Sequence, residues 1–271
     1  MTFKGENRRK NDESGGILVI SPMPKNVFRD HEIQSTADRI REILRQNDIR
    51  VVKAHKELPK SVSEIPESRM IIEGAPFSVY EQLQWIEQLK DLILEIRKAG
   101  KPLLGSCFGH QCICASFGAK VERAPKAEFG IYKAKLTEEG KKDPLFEGVD
   151  LVFSTIQTHG DKVVIPPENQ DIRVLASTED CPVQAVAIGE NIRAVQFHPE
   201  MRRFQMSAIA LLMEDRIEQD IFKGDRKAMT NFFTSMIEKH GEKFHPDYPK
   251  AKKTGIQILR NFLKMTAKKS A

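Results

Sequence analysis

The chain has 271 residues, of which 40% are hydrophobic and 30% are charged. This balance is typical of a folded globular protein and excludes a chain that is disordered throughout. The net charge of +5 is small, and no basic stripe interleaved with aromatic residues occurs, so we do not expect a nucleic acid as partner. The length favours one α/β domain with an addition, or two small domains.

The four cysteines are Cys107, Cys112, Cys114 and Cys181. Three of them crowd into one strand-to-helix segment, which is not typical of a disulfide framework, and none has the spacing of a zinc site. We therefore expect no metal, no organic cofactor and a reducing, cytoplasmic compartment. No apolar run is long enough to span a membrane, and residues 1–15 are polar without a signal-peptide pattern. They predict a disordered tail, and no membrane partner is expected.

The first part of the chain alternates between strand and helix patterns. Apolar side chains at helical spacing predict helices over 31–47 and 79–99. Short apolar runs predict the strands between them: ILVIS (17–21), IRVVKA (49–54), RMIIEGAP (69–76) and KPLLGS (101–106). This alternation indicates a flavodoxin-like or Rossmann-like α/β fold, with a mostly parallel sheet flanked by helices. In such sheets, functional groups gather at the carboxyl ends of the strands.

Residues 120–197 have a different pattern. Turns separate several short strand-like runs, which predict a mixed or antiparallel extension of the sheet: GIYKAKL (130–136), LVFSTI (151–156), IRVLA (172–176), VQAVAI (183–188) and IRAVQF (192–197). From residue 203 onward the apolar spacing is helical.

The helical part predicts a hairpin of two amphipathic helices, 203–222 and 225–240, with Asp225 as the N-cap of the second. The final helix of the core is expected to begin near Lys253. The predicted division is therefore a tail (1–15), an α/β domain (16–201), a helical insertion (202–252) and a final helix with a short tail (253–271). The insertion either packs as an accessory hairpin, or it lies over the site next to which it begins, or it docks a second subunit.

The most informative segment is LLGSCFGHQCICASFG (103–118), in which an apolar strand runs into Gly105-Ser106-Cys107-Phe108-Gly109 and a helix follows. This is the G-x-nucleophile-x-G pattern of a strained strand-to-helix turn, whose flanking positions must be small for the backbone to pass. The helix N-terminus favours a thiolate at such a position. Cys107 is therefore the candidate nucleophile, while Cys112 and Cys114 lie inside the helix as expected core residues.

A thiolate nucleophile needs a base and a group that orients the base. A strand-like run ends in His198-Pro199-Glu200. Pro199 stops strand pairing and holds the local backbone, so that Glu200 can fold back onto the imidazole. We therefore expect His198 to be the base and Glu200 the orienting carboxylate.

Together these motifs resemble the class I glutamine amidotransferases. GSCFGHQ (105–111) is similar to the family's G-x-C-x-G-x-Q motif, and FHPE (197–200) is similar to its HPE signature. IIEGAP (71–76) resembles the Gly-rich oxyanion strand. EFG (128–130) and THGDKV (158–163) resemble the glutaminase domain of GMP synthases.

The resemblance implies that Cys107 attacks the γ-carboxamide of glutamine, giving a γ-glutamyl thioester and ammonia, with His198 as general base and acid and Glu200 orienting it. It also implies an oxyanion hole and a substrate pocket. The residues implied there are the backbone amides of Phe108 and of Gly74 or Ala75, Gln111 at the amino-acid end of the substrate, and, bordering the pocket, His159, Gly160 and Asp161. For the last three, a plain turn joining two strands is an equally good interpretation.

The chain departs from the family's pattern in two ways. The oxyanion turn is Glu73-Gly74-Ala75-Pro76, where the family often has two glycines, and no phosphate-binding loop follows. Three hypotheses stay open: a stand-alone hydrolase of glutamine or a γ-glutamyl compound, a glutaminase subunit that delivers ammonia to a separate synthase, and a non-catalytic binding protein on the same fold. A homo-oligomer is compatible with each of them.

Overall fold

The computed structural model describes residues 15–23, 36–45, 48–202, 206, 218, 223–231 and 245–267. Within these residues nine strands form one sheet. In chain order the strands are β1 (Ile17–Ser21), β2 (Ile49–Lys53), β3 (Arg69–Ile72), β4 (Leu103–Ser106), β5 (Lys120–Leu136), β6 (Val152–Val164), β7 (Ile172–Ser177), β8 (Ala185–Ile188) and β9 (Ile192–Val195).

The sheet has a parallel half and an antiparallel half, in the order β2-β1-β3-β4-β9-β8-β7-β5-β6. The pairings from β2 through β9 are parallel, and this part has the strand order of a flavodoxin-like fold. The pairings from β9 through β6 are antiparallel. The predicted α/β class and its antiparallel extension are therefore confirmed.

Helices cover both faces of the sheet. They are α1 (Thr36–Leu44), α2 (Ala54–Glu57), α3 (Gln84–Ala99), α4 (Phe108–Ser116), α5 (Glu138–Lys142) and α6 (Tyr248–Lys264), with 3₁₀ turns at Val62–Glu64 and Pro144–Phe146. One core contains α3 and α4, and the other contains α1 and α6. Leu103 belongs to the first core and Leu104 to the second, so β4 is buried on both faces, as expected of a central parallel strand.

Helix α3 is shorter than the 79–99 predicted, because its first residues form a turn. The N–H of Glu81 donates to the carbonyl of Ser78 at 3.0 Å, and the N–H of Ser78 donates to the Glu81 carboxylate at 2.7 Å. These bonds hold the backbone in a turn, and the helix begins only at Gln84.

Helix α6 begins at Tyr248, earlier than the predicted start at Lys253. The prediction followed the segment KTGIQILRNFLKM, which resembles the final helix of the family, whereas the helix has one more turn, with Pro249 in it. Proline is favoured there because its φ is already helical and the N–H that it lacks has no helical partner at that position.

Most of the predicted insertion 202–252 and nearly all of the tail 1–15 lie outside the described residues. Within the described part, residues 226–231 are helical. The Asp225 carboxylate accepts a hydrogen bond from the N–H of Ala228 at 2.8 Å, which is the N-cap interaction predicted for Asp225.

Helix α6 packs directly on the turn that follows β9. A Cβ atom on Gly255 would lie 2.1 Å from the carbonyl oxygen of Pro199. A glycine is therefore needed in the middle of this helix because the two backbones approach closely, and the helix supports Pro199 from the core side.

We expect Gly255→Ala to lower the free energy of unfolding by about 1–3 kcal/mol, the usual cost of overpacking. At an exposed site in a helix the same change stabilises by up to about 1 kcal/mol, so the sign separates packing from helix propensity. Chemical denaturation of the variant measures this effect. Lys252→Ala, on the exposed side of α6, is the matched control and should change stability little. A Gly255→Ala protein at least as stable as the parent would contradict the proposed packing.

Candidate active site

Cys107 occupies a strained turn at the carboxyl end of β4. Its φ of 50° and ψ of −106° lie in a region that side-chain-bearing residues rarely adopt, at a cost of about 1–3 kcal/mol. Two hydrogen bonds hold it there: its N–H donates to the Val195 carbonyl at 3.0 Å, and its carbonyl accepts from the N–H of Gln111 at 3.0 Å. Cys107 is thus the N-terminal cap residue of α4, where the helix dipole favours a negative charge.

The glycines around Cys107 are required by space. A Cβ atom on Gly105 would lie 2.6 Å from the carbonyl carbon of Gly109, and one on Gly109 would lie 2.3 Å from the carbonyl oxygen of Ile72. On Gly74, a Cβ would lie 2.6 Å from Cε1 of His198 and 3.2 Å from the Cβ of Cys107. The turn after β3 therefore lies directly against the candidate nucleophile and base.

His198 and Glu200 lie on the turn that follows β9, the strand next to β4. The N–H of His198 donates to the carbonyl of Ile156 at 2.9 Å, which ties the turn to β6. Nδ1 of His198 donates to the Glu200 carboxylate at 3.0 Å, and both side chains are buried. The structure thus brings Cys107, His198 and Glu200 together at the carboxyl edge of the parallel half.

The site favours a charged imidazole at His198. Burial lowers the pKa of His198, but the charges of the Cys107 thiolate and of Glu200, with hydrogen bonds to both, raise it to about 10. His110, one turn into α4, differs: burial, together with the charge of His159, lowers its pKa to about 3. His198 is therefore the histidine suited to hold a proton beside a thiolate, and His110 stays neutral.

Thr158 belongs to the same site, although the sequence did not single it out. Its hydroxyl lies 2.9 Å from Nε2 of His198, and its carbonyl lies 3.9 Å from the sulfur of Cys107. The only sequence signal is its position directly before His159 in THGDKV. The sequence does not show that the Thr158 hydroxyl meets His198, because this contact depends on how the tertiary fold places β6 beside the turn after β9.

Gln111 and Asp161, which were expected at the substrate, form hydrogen bonds with one another and with other residues of the protein. The side-chain amide of Gln111 donates to the backbone carbonyl of Asp161 at 3.4 Å and to the side chain of Gln196 at 3.2 Å. The Asp161 carboxylate accepts hydrogen bonds from the hydroxyls of Ser78, at 2.6 Å, and Tyr80, at 3.3 Å. Both residues are buried beside the site.

His159 joins Asp161 to a second buried network. Its Nδ1 lies 2.9 Å from the backbone carbonyl of Asp161, and its Nε2 lies 2.7 Å from the Glu128 carboxylate. Glu128 accepts from Thr178 at 2.7 Å and from Gln184 at 2.6 Å. Among the described residues, Glu128, His159 and Cys181 place potential metal ligand atoms within 4.8 Å of one another. Both carboxylate oxygens of Glu128 therefore already have hydrogen-bond partners, and the network joins β5 and β6 to the connection between β7 and β8.

The remaining candidates also have defined positions. Phe108 is the first residue of α4, so its N–H has no partner within the helix. Ala75 is half-buried in the turn after β3, and Gly160 is buried within β6. The alternative of a turn at 159–161 is wrong, because these residues lie inside the continuous strand Val152–Val164. His159 pairs with Glu128 and Asp161 pairs with Arg123 of β5, on either side of an irregularity in the register.

The chain belongs to the glutamine amidotransferase class-I family, whose model matches residues 27–208. It is 35% identical over 170 residues to a GMP synthase [glutamine-hydrolyzing] of Lactococcus lactis subsp. cremoris, covering 62% of this chain and 31% of that protein. It is 36% identical over 157 residues to a GMP synthase [glutamine-hydrolyzing] subunit of Saccharolobus solfataricus, covering 57% of this chain and 77% of that protein. The chain thus spans about a third of the first relative and most of the second.

Solved structures show the same fold. A glutamine amidotransferase of Thermotoga maritima superposes with a TM-score of 0.68 at 19% identity, covering 92% of this chain and 98% of that one. A glutamine amidotransferase of Methylobacillus flagellatus superposes with a TM-score of 0.68 at 17% identity, covering 95% and 97%. Among the described residues, no helix has the length and apolar character needed to cross a bilayer.

We expect iodoacetamide to alkylate Cys107 first, because Cys107 is the N-terminal cap residue of α4, a position where the helix dipole favours a negative charge. Burial raises the pKa of Cys112 to about 12 and that of Cys181 to about 12, and it raises that of Cys114 as well, so these thiols should stay unmodified near neutral pH. Peptide mapping by mass spectrometry locates the adduct. Cys107→Ala should abolish rapid labelling, and the matched Cys112→Ala should not. An adduct on Cys112 with Cys107 unmodified would refute the assignment.

Proposed function

We propose that the protein is a cysteine-dependent hydrolase that cleaves the γ-amide of glutamine, or of a γ-glutamyl compound, through a γ-glutamyl thioester. Cys107 is the nucleophile, His198 the general acid and base, and Glu200 the orienting carboxylate. The observation that carries the proposal is the strained Cys107 on a helix N-terminus beside an imidazole whose pKa is raised to about 10. Membership of the glutamine amidotransferase class-I family supports it.

In the first half-reaction, the Cys107 sulfur adds to the γ-carbonyl carbon, and the carbonyl electrons move to its oxygen. The N–H of Phe108 and that of Gly74 or Ala75 donate to this oxyanion. His198 then passes its Nε2 proton to the leaving nitrogen, the carbon–nitrogen bond breaks, and ammonia or an amine leaves. The products are the γ-glutamyl thioester and a neutral His198.

In the second half-reaction, neutral His198 accepts a proton from water as the water oxygen adds to the thioester carbon. The carbon–sulfur bond breaks, the thiolate returns to Cys107, and the imidazolium is restored. Glu200 accepts the Nδ1 hydrogen bond throughout, which keeps Nε2 directed at the reacting atoms. Because the pKa of His198 is raised to about 10, the imidazole carries its proton near neutral pH.

A second candidate is a glutaminase subunit that delivers ammonia to a separate synthase. It is favoured by the coverage of the relatives: the match spans 77% of a relative named as a GMP synthase subunit but 31% of a full-length GMP synthase. The active-site chemistry is the same in both candidates. They differ in whether the chain turns over alone.

The test is ammonia release from glutamine by the purified chain, with hydroxylamine added in parallel to trap the thioester as the γ-glutamyl hydroxamate. We expect equal amounts of ammonia and glutamate, lost in Cys107→Ala and retained in Cys112→Ala. Trapping of Cys107 by a glutamine-shaped electrophile without turnover would favour the partner-dependent candidate. A chain that neither turns over nor reacts with the electrophile would contradict both candidates and favour a non-catalytic binding protein.

We expect His198→Ala to lower kcat on the order of a thousandfold or more, with Glu200→Gln at least about tenfold milder. The imidazole transfers the proton, whereas the carboxylate only orients and stabilises the imidazole.

The pH dependence of kcat/KM tests the same two roles. Deprotonation of the imidazolium removes the general acid, so kcat/KM should fall as pH rises through about 10. Glu200 raises the pKa of His198, so Glu200→Gln should move this limb to lower pH. Equal kinetic losses, or an unmoved limb, would contradict the roles.

A further inference from the structure

The segment 73–83 connects the turn after β3 to α3 without regular secondary structure. Near its start is Gly74, which lies against Cys107 and His198. At its start the N–H of Glu73 donates to the carbonyl of Ile20 at 3.2 Å, and beyond that point side-chain anchors help to fix its position. Val79 is one of them, since it is buried in the core with α3 and α4.

Asp161 supplies the polar anchor of the same segment. Its carboxylate accepts from the Ser78 hydroxyl at 2.6 Å and from the Tyr80 hydroxyl at 3.3 Å. The shorter bond, to Ser78, is part-buried, while Tyr80 is 54% exposed. A short hydrogen bond to a carboxylate contributes more than a neutral one, so Ser78 should be the stronger of the two attachments.

Asp161 is also bonded to the helix that carries the nucleophile. Its backbone carbonyl accepts from the side chain of Gln111 at 3.4 Å, and Gln111 donates its own N–H to the carbonyl of Cys107. A single residue of β6 therefore joins the segment after β3 to the first turn of α4. These are the two backbone elements that would supply the oxyanion donors.

We propose that Asp161, with Ser78 and Tyr80, is a positioning group that sets the distance between the Gly74 turn and the N-terminus of α4. This inference rests on the proposed function and deepens it. The Asp161 carboxylate does not touch the substrate in this role; it holds the Gly74–Ala75 backbone where its N–H can meet the oxyanion. Loss of the anchor leaves the nucleophile, the base and the Phe108 donor in place and displaces only one side of the oxyanion hole.

The test compares two reagents on Cys107. Iodoacetamide alkylates the thiolate by direct displacement of iodide and needs no oxyanion donor. With a chloroketone that keeps the amino-acid end of glutamine, the sulfur first adds to the ketone carbon and the carbonyl electrons move to its oxygen, giving an oxyanion. The sulfur then displaces chloride from the neighbouring CH2 group, its bond to the former ketone carbon breaks, and the ketone re-forms, which leaves a thioether. We expect Ser78→Ala and Asp161→Asn to slow the chloroketone, and kcat for glutamine, by about tenfold to a hundredfold, a fraction of the loss of a whole donor. Iodoacetamide rates should stay within about twofold of the wild type.

Conservative and matched variants separate positioning from general damage. Ser78→Thr keeps the hydroxyl and should recover most of the loss. Tyr80→Phe should have a smaller effect than Ser78→Ala. Tyr132→Phe is the control for Tyr80→Phe, because the Tyr132 hydroxyl accepts a hydrogen bond from the N–H of Phe129 within β5, at 3.3 Å. This variant should leave both rates unchanged.

Trp85 gives a readout that does not depend on activity. It is the single tryptophan of the chain, and its ring centroid lies 5.5 Å from that of Phe77 in the segment and 5.6 Å from that of Phe108 beside the nucleophile. Displacement of the segment should change the emission of Trp85 and its quenching by acrylamide in Ser78→Ala. Tyr132→Phe should leave both as in the wild type.

The outcomes are distinguishable. Slower chloroketone reaction with unchanged iodoacetamide labelling and altered Trp85 quenching supports the proposal. Wild-type kinetics in Ser78→Ala and Asp161→Asn, or a parallel fall with both reagents, overturns it. A wild-type chain inert to glutamine and to the chloroketone, yet alkylated by iodoacetamide, refutes the proposed function instead. Trp85 quenching then still tests the anchor, since unchanged quenching in Ser78→Ala would overturn that as well.

Discussion

Backbone segments approach one another around Cys107 more closely than any side chain allows. Gly105 and Gly109 pass within a distance at which either Cβ would collide with backbone, and Gly74 abuts the His198 ring. This close packing permits the strained φ of 50° at Cys107, which directs the sulfur away from the strand while α4 begins at once beneath it. The strain is offset by burial of β4 on both faces of the sheet, so the core holds the proposed nucleophile in place.

The electrostatics of the site follow from the same geometry. Burial alone would keep the His198 imidazole neutral, as it does for His110. Two negative partners reverse this effect, because Glu200 and the Cys107 thiolate both interact with the ring. The turn that carries His198 and Glu200 has Pro199 at its centre, against which α6 packs through Gly255. Helix α6 therefore supports the turn that carries the proposed base.

The antiparallel half of the sheet contributes more than an edge extension. From β6, Thr158 reaches the base and Asp161 reaches the segment after β3. The network of Glu128 and His159 joins the strands of this half by buried hydrogen bonds. The proposed nucleophile and base follow strands of the parallel half. The contacts made from β6 show that the antiparallel strands help to arrange these two residues.

The sequence alone determined the α/β class, the elbow at Cys107 and the pairing of His198 with Glu200. These features are local: glycines flank the nucleophile, proline separates base from carboxylate, and strand and helix patterns alternate. It placed the start of α6 too late, because the segment that resembles the family's final helix begins after the first turn, which contains Pro249. It did not single out Thr158. Only the tertiary structure decided what Thr158, Gln111 and Asp161 contact, because their partners lie on strands and loops far away in the chain, and hydrogen bonds between such elements leave no periodic pattern in the sequence.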